Sequence, residues 1–275
     1  MPSYHAPRIL LTSHLKLAAF ALVLFCGSAP RIHAEVTKER PNILFIMSDD
    51  HACNAISAYG GRLAKVAPTP NIDRIGQEGI RLDNCFVTNS ICTPSRAVIL
   101  SGQHSHINSV RTLNDAFPGP GDGTPNVAEI LRNNGYQTSL FGKWHLRSRP
   151  WGFDYWKVGP GQGFYYDPVF LTSEDETEYS HRNRKLPRTK GYYTDLVTDY
   201  ALDWLKERES DRPFFMMLHH KAPHGKWEPA PRHKDYLKDV EIPEPIRCGK
   251  TSVIVLMRLG HWERRSQVDW LRSER

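Results

Sequence analysis

The chain has 275 residues, 40% of them hydrophobic and 24% charged, a balance that fits a folded domain with a substantial core and excludes a disordered protein. The net charge of +6 is unevenly spread: residues 1–40 carry +3 and residues 247–275 carry +4, leaving the body between them at −1. Such a body has no nucleic-acid footprint, and five cysteines make no disulfide framework, with Cys53 and Cys85 at most able to pair.

At the N-terminus, Arg8, His14 and Lys16 precede the apolar run Leu17 to Phe25. Small residues follow at Gly27, Ser28, Ala29 and Ala34. A basic start, a short apolar centre and small residues describe a secretory signal peptide, cleaved near Ala34. The run is too short for a comfortable membrane span. Lipid attachment at Cys26 is disfavoured by the bulky Phe25 before it. The expectation is an exported protein, periplasmic or secreted, with no stable membrane span.

Asn42 to Met47 is a continuous apolar run, which predicts a strand buried on both faces. It ends in Ser48-Asp49-Asp50-His51. In open α/β sheets the ligand site lies at the carboxyl ends of the strands. Two adjacent carboxylates there are costly unless positive charge accompanies them. A hard cation bound through oxygen would supply it; an exposed acidic turn is the plainer reading of an isolated Asp-Asp.

Thr69-Pro70-Asn71 opens a short helix that Gly79 closes, and Thr124-Pro125-Asn126 repeats the device with Gly135 at the end. Val127, Ile130 and Leu131 form the buried stripe expected of that second helix. Between them lies Cys92-Thr93-Pro94-Ser95-Arg96, followed by the apolar run Ala97 to Leu100. Pro94 suits the first turn of a helix. Cys92 then sits just ahead of a helix N-terminus, where a thiol should be acidic and reactive. A half-buried cysteine beside a turn is the plainer alternative.

Gln137 to Phe141 reads as the next strand, running into Gly142-Lys143-Trp144-His145. On an extended segment Lys143 and His145 face the same side, where a cation and an imidazole could bind an anion and move a proton. Residues 147–190 read as long loops walling a pocket, with no individual residue assignable. Tyr192 to Lys206 is helical, packing Leu196, Tyr200, Trp204 and Leu205. Pro213 to Leu218 is a third buried strand, leading into His219-His220-Lys221-Ala222-Pro223-His224. Clustered histidines invite zinc, but cysteine or carboxylate partners at zinc spacing are missing nearby.

Together, the paired carboxylates after a strand, Cys92-x-Pro-Ser-Arg96, Gly142-Lys143-x-His145 and Pro223-His224 resemble the motifs of the type I sulfatases, over about Pro41 to Pro245. The resemblance implies an α/β fold of alkaline-phosphatase type, a central sheet flanked by helices, here C-terminally truncated. It implies that a separate formylglycine-generating enzyme oxidises Cys92 to formylglycine, whose hydrate attacks sulfur. Calcium, or magnesium, would be held by Asp49, Asp50 and the modified Cys92. Lys143 would contact the sulfate and His145 would orient the hydrate. Arg96 would pin that hydrate, His224 would protonate the leaving alcohol, and Lys221 would face the substrate. The run Ala222-Pro223-His224, Trp227 and Ala230-Pro231 looks like sulfatases acting on N-acetylglucosamine 6-sulfate and related sulfated glycans.

The chain also departs from the family. A further metal ligand pair and a second sulfate-binding lysine do not appear after His224, and residues 247–275 show no resemblance. The expected organisation is a signal peptide over 1–34, an incomplete catalytic domain over 35–246 and an atypical tail over 247–275. Two alternatives stand beside hydrolysis of sulfate esters: a phosphonate or phosphate ester hydrolase on the same scaffold, and an inactive fragment.

Overall fold

A computed structural model describes residues 40–174 and 186–244. The expected signal peptide and the atypical tail lie outside the described residues. No helix among the described residues is long and apolar enough to cross a membrane.

A five-stranded sheet organises the molecule. In chain order its strands are β1 (Ile43–Ser48), β2 (Gln137–Lys143), β3 (Tyr155–Gly159), β4 (Leu171–Thr172) and β5 (Phe214–His220). The spatial order is β1-β5-β2-β3-β4, parallel except for the antiparallel β3–β4 pair. The last long strand is therefore inserted between the first two. Its sequence shows why. Phe214 to His219 are all buried, as a strand covered on both faces requires. Phe215 and Met217 point into one core layer, and Phe214, Met216 and Leu218 into the other.

Helices cover both faces. The helices are α1 (Pro70–Glu78), α2 (Cys92–Ser101), α3 (Ser105–Asn108), α4 (Val127–Asn133) and α5 (Tyr193–Glu207). Ala97 and Leu100 of α2 and Ala128 of α4 pack with Leu140, Trp156 and Phe215. Tyr193, Val197 and Ala201 of α5 pack with Phe141, Met216 and Leu218 on the opposite face. The expected α5 stripe Leu196, Tyr200, Trp204 and Leu205 flanks that layer, partly buried.

Several expectations need correction. β1 is half-buried on one face only: Ile43 and Phe45 are partly buried against the core, whereas Leu44 and Ile46, 48% and 50% exposed, belong to neither core layer. Ile130 is likewise exposed, and Ala128 takes the buried place on α4. The cap of α4 is Asn126, whose side chain accepts from the Ala128 amide, two residues later than Thr124. Residues 147–190 are not loop throughout: they contain β3 and β4, only five and two residues long. Cys53 and Cys85 are free thiols.

Candidate active site

Three parallel strands end together, and each delivers site residues from its carboxyl end. Asp49 and Asp50 follow β1, Lys143 closes β2, and Lys221 to His224 follow β5. The start of α2 brings Cys92 to the same place. Its thiol sits 3.8 Å from Asp49 Oδ1, and the Lys143 ammonium sits 3.6 Å from its sulfur. Ligand atoms of Asp49, Cys92 and His224 lie within 4.8 Å of one another. The sites named from sequence thus converge from positions far apart in the chain.

Asp49 is the hub. It is 6% exposed and pairs with both Lys143 and the 3%-exposed Arg96, the latter at 3.3 Å. Burial alone would raise its pKa, but the Arg96 and Lys143 charges outweigh burial and hold the carboxyl below the usual range. Asp50 is exposed, in a left-handed conformation at φ 60°, with a carboxylate oxygen 3.6 Å from His224 Nε2.

Arg96 braces the site from behind. Its guanidinium donates to the Lys143 carbonyl at 2.5 Å, lies 3.2 Å from His219 Nδ1, and reaches Asp49. The hydrogen bonds described for it thus hold the ends of β1 and β2 together rather than run to position 92. Thr93 Oγ1 donates to the His145 carbonyl at 2.8 Å, tying α2 to the end of β2.

Lys143 and His145 do not obey the two-residue alternation of a strand. β2 ends at Lys143, and His145 has φ 54°. Both still belong to the site, because the Lys143, Arg96 and Asp49 charges all act on His145. Burial foremost, then Lys143 and Arg96, lower the His145 pKa to about 3, so the ring is neutral. Its Nδ1 is buried with no hydrogen-bond partner among the described residues.

Cys92 corrects a second expectation. It is the first residue of α2, not the residue ahead of it. Its pKa is raised, because burial outweighs the attraction of Lys143. An unmodified thiol here is therefore less acidic than usual. Lys221 is 5% exposed and forms no ion pair among the described residues. Its ammonium lies 4.8 Å from the centre of the Tyr165 ring. Burial and the Lys143 charge lower its pKa. Burial and then Lys143 also lower that of His224.

The sequence reading missed two contributors, both on the segment after β3. Gln162 Oε1 accepts from Lys143 Nζ at 2.5 Å. The Tyr165 hydroxyl donates to the His224 carbonyl at 2.6 Å. Neither has a local signature; only their placement beside Lys143 and His224 marks them. A cleft of about 620 Å³ is lined by Asp49, Asp50, His51, Cys92, Ser95 and Arg96 among others.

Comparisons with known proteins agree with this geometry. The family model described as Sulfatase matches residues 41–244. The chain is 45% identical over 234 residues to the N-acetylglucosamine-6-O-sulfatase of Bacteroides thetaiotaomicron, covering 84% of this chain and 38% of that protein. It is 30% identical over 210 residues to the human N-acetylgalactosamine-6-sulfatase, covering 67% of this chain and 40% of that one. The solved structure of BT4656 with its substrate D-glucosamine-2-N,6-O-disulfate superposes with a TM-score of 0.68 at 44% identity, covering 76% of this chain and 40% of that chain. The PsFucS1 sulfatase from Pseudoalteromonas sp. shares the fold at a TM-score of 0.58 and 21% identity, covering 83% and 51% of the two chains. The chain spans about two-fifths of the length of the curated relatives it matches.

Proposed function

The chain belongs to the sulfatase family, and from that premise we propose that its site hydrolyses sulfate esters on a sulfated glycan, with 6-O-sulfated glucosamine the first substrate to try. One observation carries the reading: three buried cations, Arg96, Lys143 and Lys221, gather at a site whose one buried carboxylate, Asp49, pairs with the first two. Such a site is short of negative charge, and a sulfate monoester supplies it. The substrate class comes from the names of the relatives, one of which is an N-acetylglucosamine-6-O-sulfatase.

On this reading Cys92 is oxidised to formylglycine by a separate maturing enzyme. The modification supplies an oxygen nucleophile with a second hydroxyl through which sulfate can be released. The raised pKa of the plain thiol gives it no advantage in that role. The donor set also fits a hard divalent cation, calcium or magnesium. Asp49 and Asp50 offer oxygens, and ligand atoms of Asp49, Cys92 and His224 lie within 4.8 Å of one another. Asp49, Asp50 and the oxidised position 92 would hold such an ion, which when bound polarises the sulfate oxygens.

The chain's own groups do the rest. Lys143 and Lys221 neutralise the sulfate. Arg96 fixes Asp49 and the end of β2. His224 gives a proton to the leaving oxygen. Burial and Lys143 oppose its charged form, whereas Asp49 favours it, and a bound sulfate anion adds to the Asp49 effect. His145, neutral and with a buried Nδ1 that has no partner among the described residues, orients the hydrate at position 92 on this reading. We further place residues 1–34 as an export signal and 35–246 as the catalytic portion.

The test is a pair of assays on the purified chain, with a 6-sulfated glucosamine and an aryl sulfate against the matching phosphate esters. Turnover of the sulfates with little of the phosphates supports the reading; dominant phosphate turnover would reverse it.

A further inference from the structure

The segment bearing His224 has no strong anchor of its own. Between His224 and Pro229 it carries Lys226 at φ 75° and Trp227 at φ 43°, left-handed conformations unusual for such residues. Trp227 is 75% exposed, so its side chain does not hold the turn. Three phenol hydroxyls do. Tyr165 donates to the His224 carbonyl at 2.6 Å, Tyr192 to the Glu228 carbonyl at 2.9 Å, and Tyr166 to the Pro229 carbonyl. The three rings pack together, Tyr192 against Tyr165 at 6.0 Å and against Tyr166 at 5.4 Å. The backbone joins the two segments that supply them, since the Tyr193 amide donates to the Tyr165 carbonyl at 2.7 Å.

Tyr165 is the innermost of the three, 2% exposed. Its hydroxyl holds His224 while its ring face lies under the Lys221 ammonium. One side chain therefore touches both the proton donor and a sulfate-facing cation. We propose that Tyr165 is a positioning residue that sets His224 and Lys221 relative to one another, with Tyr166 and Tyr192 holding the rest of the His224 segment. The proposal rests on the sulfate-ester reading above.

The two functions of Tyr165 separate by substitution. Tyr165→Phe removes only the hydroxyl. His224 then drifts, and the effect falls on esters whose leaving alcohol needs a proton. A sugar 6-sulfate needs one; an aryl sulfate with an acidic phenol needs it far less. Tyr165→Phe should slow kcat on 6-sulfated glucosamine at least about tenfold more than on the aryl sulfate. Tyr165→Leu also removes the ring beneath Lys221, and should raise KM for both esters several-fold beyond the Phe variant. Equal losses on both esters in Tyr165→Phe, or no loss on either, would overturn the proposal.

Amide hydrogen exchange over residues 224–228 gives a readout independent of turnover. It should quicken in Tyr165→Phe while exchange in β5 is unchanged. If the wild-type chain hydrolyses no sulfate ester, the functional reading fails by itself. The positioning role is then judged by exchange alone: faster exchange confined to 224–228 upholds it, and unchanged exchange overturns it.

Discussion

The ammonium of Lys143 rests against the carboxylate of Asp49 across the top of β5, joining the ends of two strands that never touch each other. Both groups are buried, 1% and 6% exposed. Removing one partner leaves the other charge in a poor solvent, although Arg96 still serves Asp49. Lys143→Met should lower turnover of sulfate esters at least about a hundredfold, as loss of one charge-stabilising group does at such sites. Lys143→Arg should not restore it, because the guanidinium fork cannot occupy a point between Asp49, Gln162 and Cys92. Steady-state kinetics on an aryl sulfate check both.

His224 should reveal itself through the leaving group. His224→Ala should cost about 10²–10⁴ in kcat on a sugar sulfate, the range for a proton donor. On an aryl sulfate with an acidic phenol the loss should be much smaller. A plot of log kcat against leaving-group pKa measures this directly: the variant line should be steeper than that of the wild type.

His145 makes stability depend on pH. Its folded pKa is about 3, lowered chiefly by burial, against an ordinary value of 6.5. Between those values the unfolded chain binds a proton that the folded chain refuses. The contribution is therefore intact above about 6.5 and is lost progressively as pH falls toward 3. His219 acts in the same direction, its pKa also pushed well down by burial. His145→Asn should shrink the loss of urea stability between neutral pH and pH about 4.5. An unchanged loss in the variant would assign the acid sensitivity elsewhere.

Gly142 fixes the register that brings Lys143 to the site. It pairs with His219 at φ 98°, and a Cβ there would lie 2.0 Å from the His219 carbonyl oxygen. Gly142→Ala must move β2 against β5 and should cost about 3 kcal/mol or more. Urea unfolding gives the stability, and activity should fall with it, since the displaced strand end carries Lys143.

Much of this was legible in the residues. β5 is a near-continuous apolar run, and both β2 and β5 lead into the polar clusters that form the site. The clusters at 49–50, 92–96, 143–145 and 221–224 meet because parallel strands share one carboxyl end. Other features were not legible. The alternating exposure of β1 reflects one face that no core layer covers, a tertiary fact that an apolar run cannot encode. β3 and β4 are too short for periodicity to register. Gln162 and Tyr165 act through distant partners, and nothing local distinguishes them. The Cys92 pKa turned on how deeply the thiol is buried, a tertiary quantity that outweighed the local effect of a helix start.

The most direct measurement is mass spectrometry of the tryptic peptide Leu82–Arg96, from chain made in a host with a formylglycine-generating enzyme, alongside sulfatase turnover of the same preparation. The expected result is that the CH2SH group of Cys92 has become an aldehyde, and that turnover across preparations rises in proportion to the modified fraction. Full sulfatase turnover from a preparation carrying only the unmodified thiol would contradict the account.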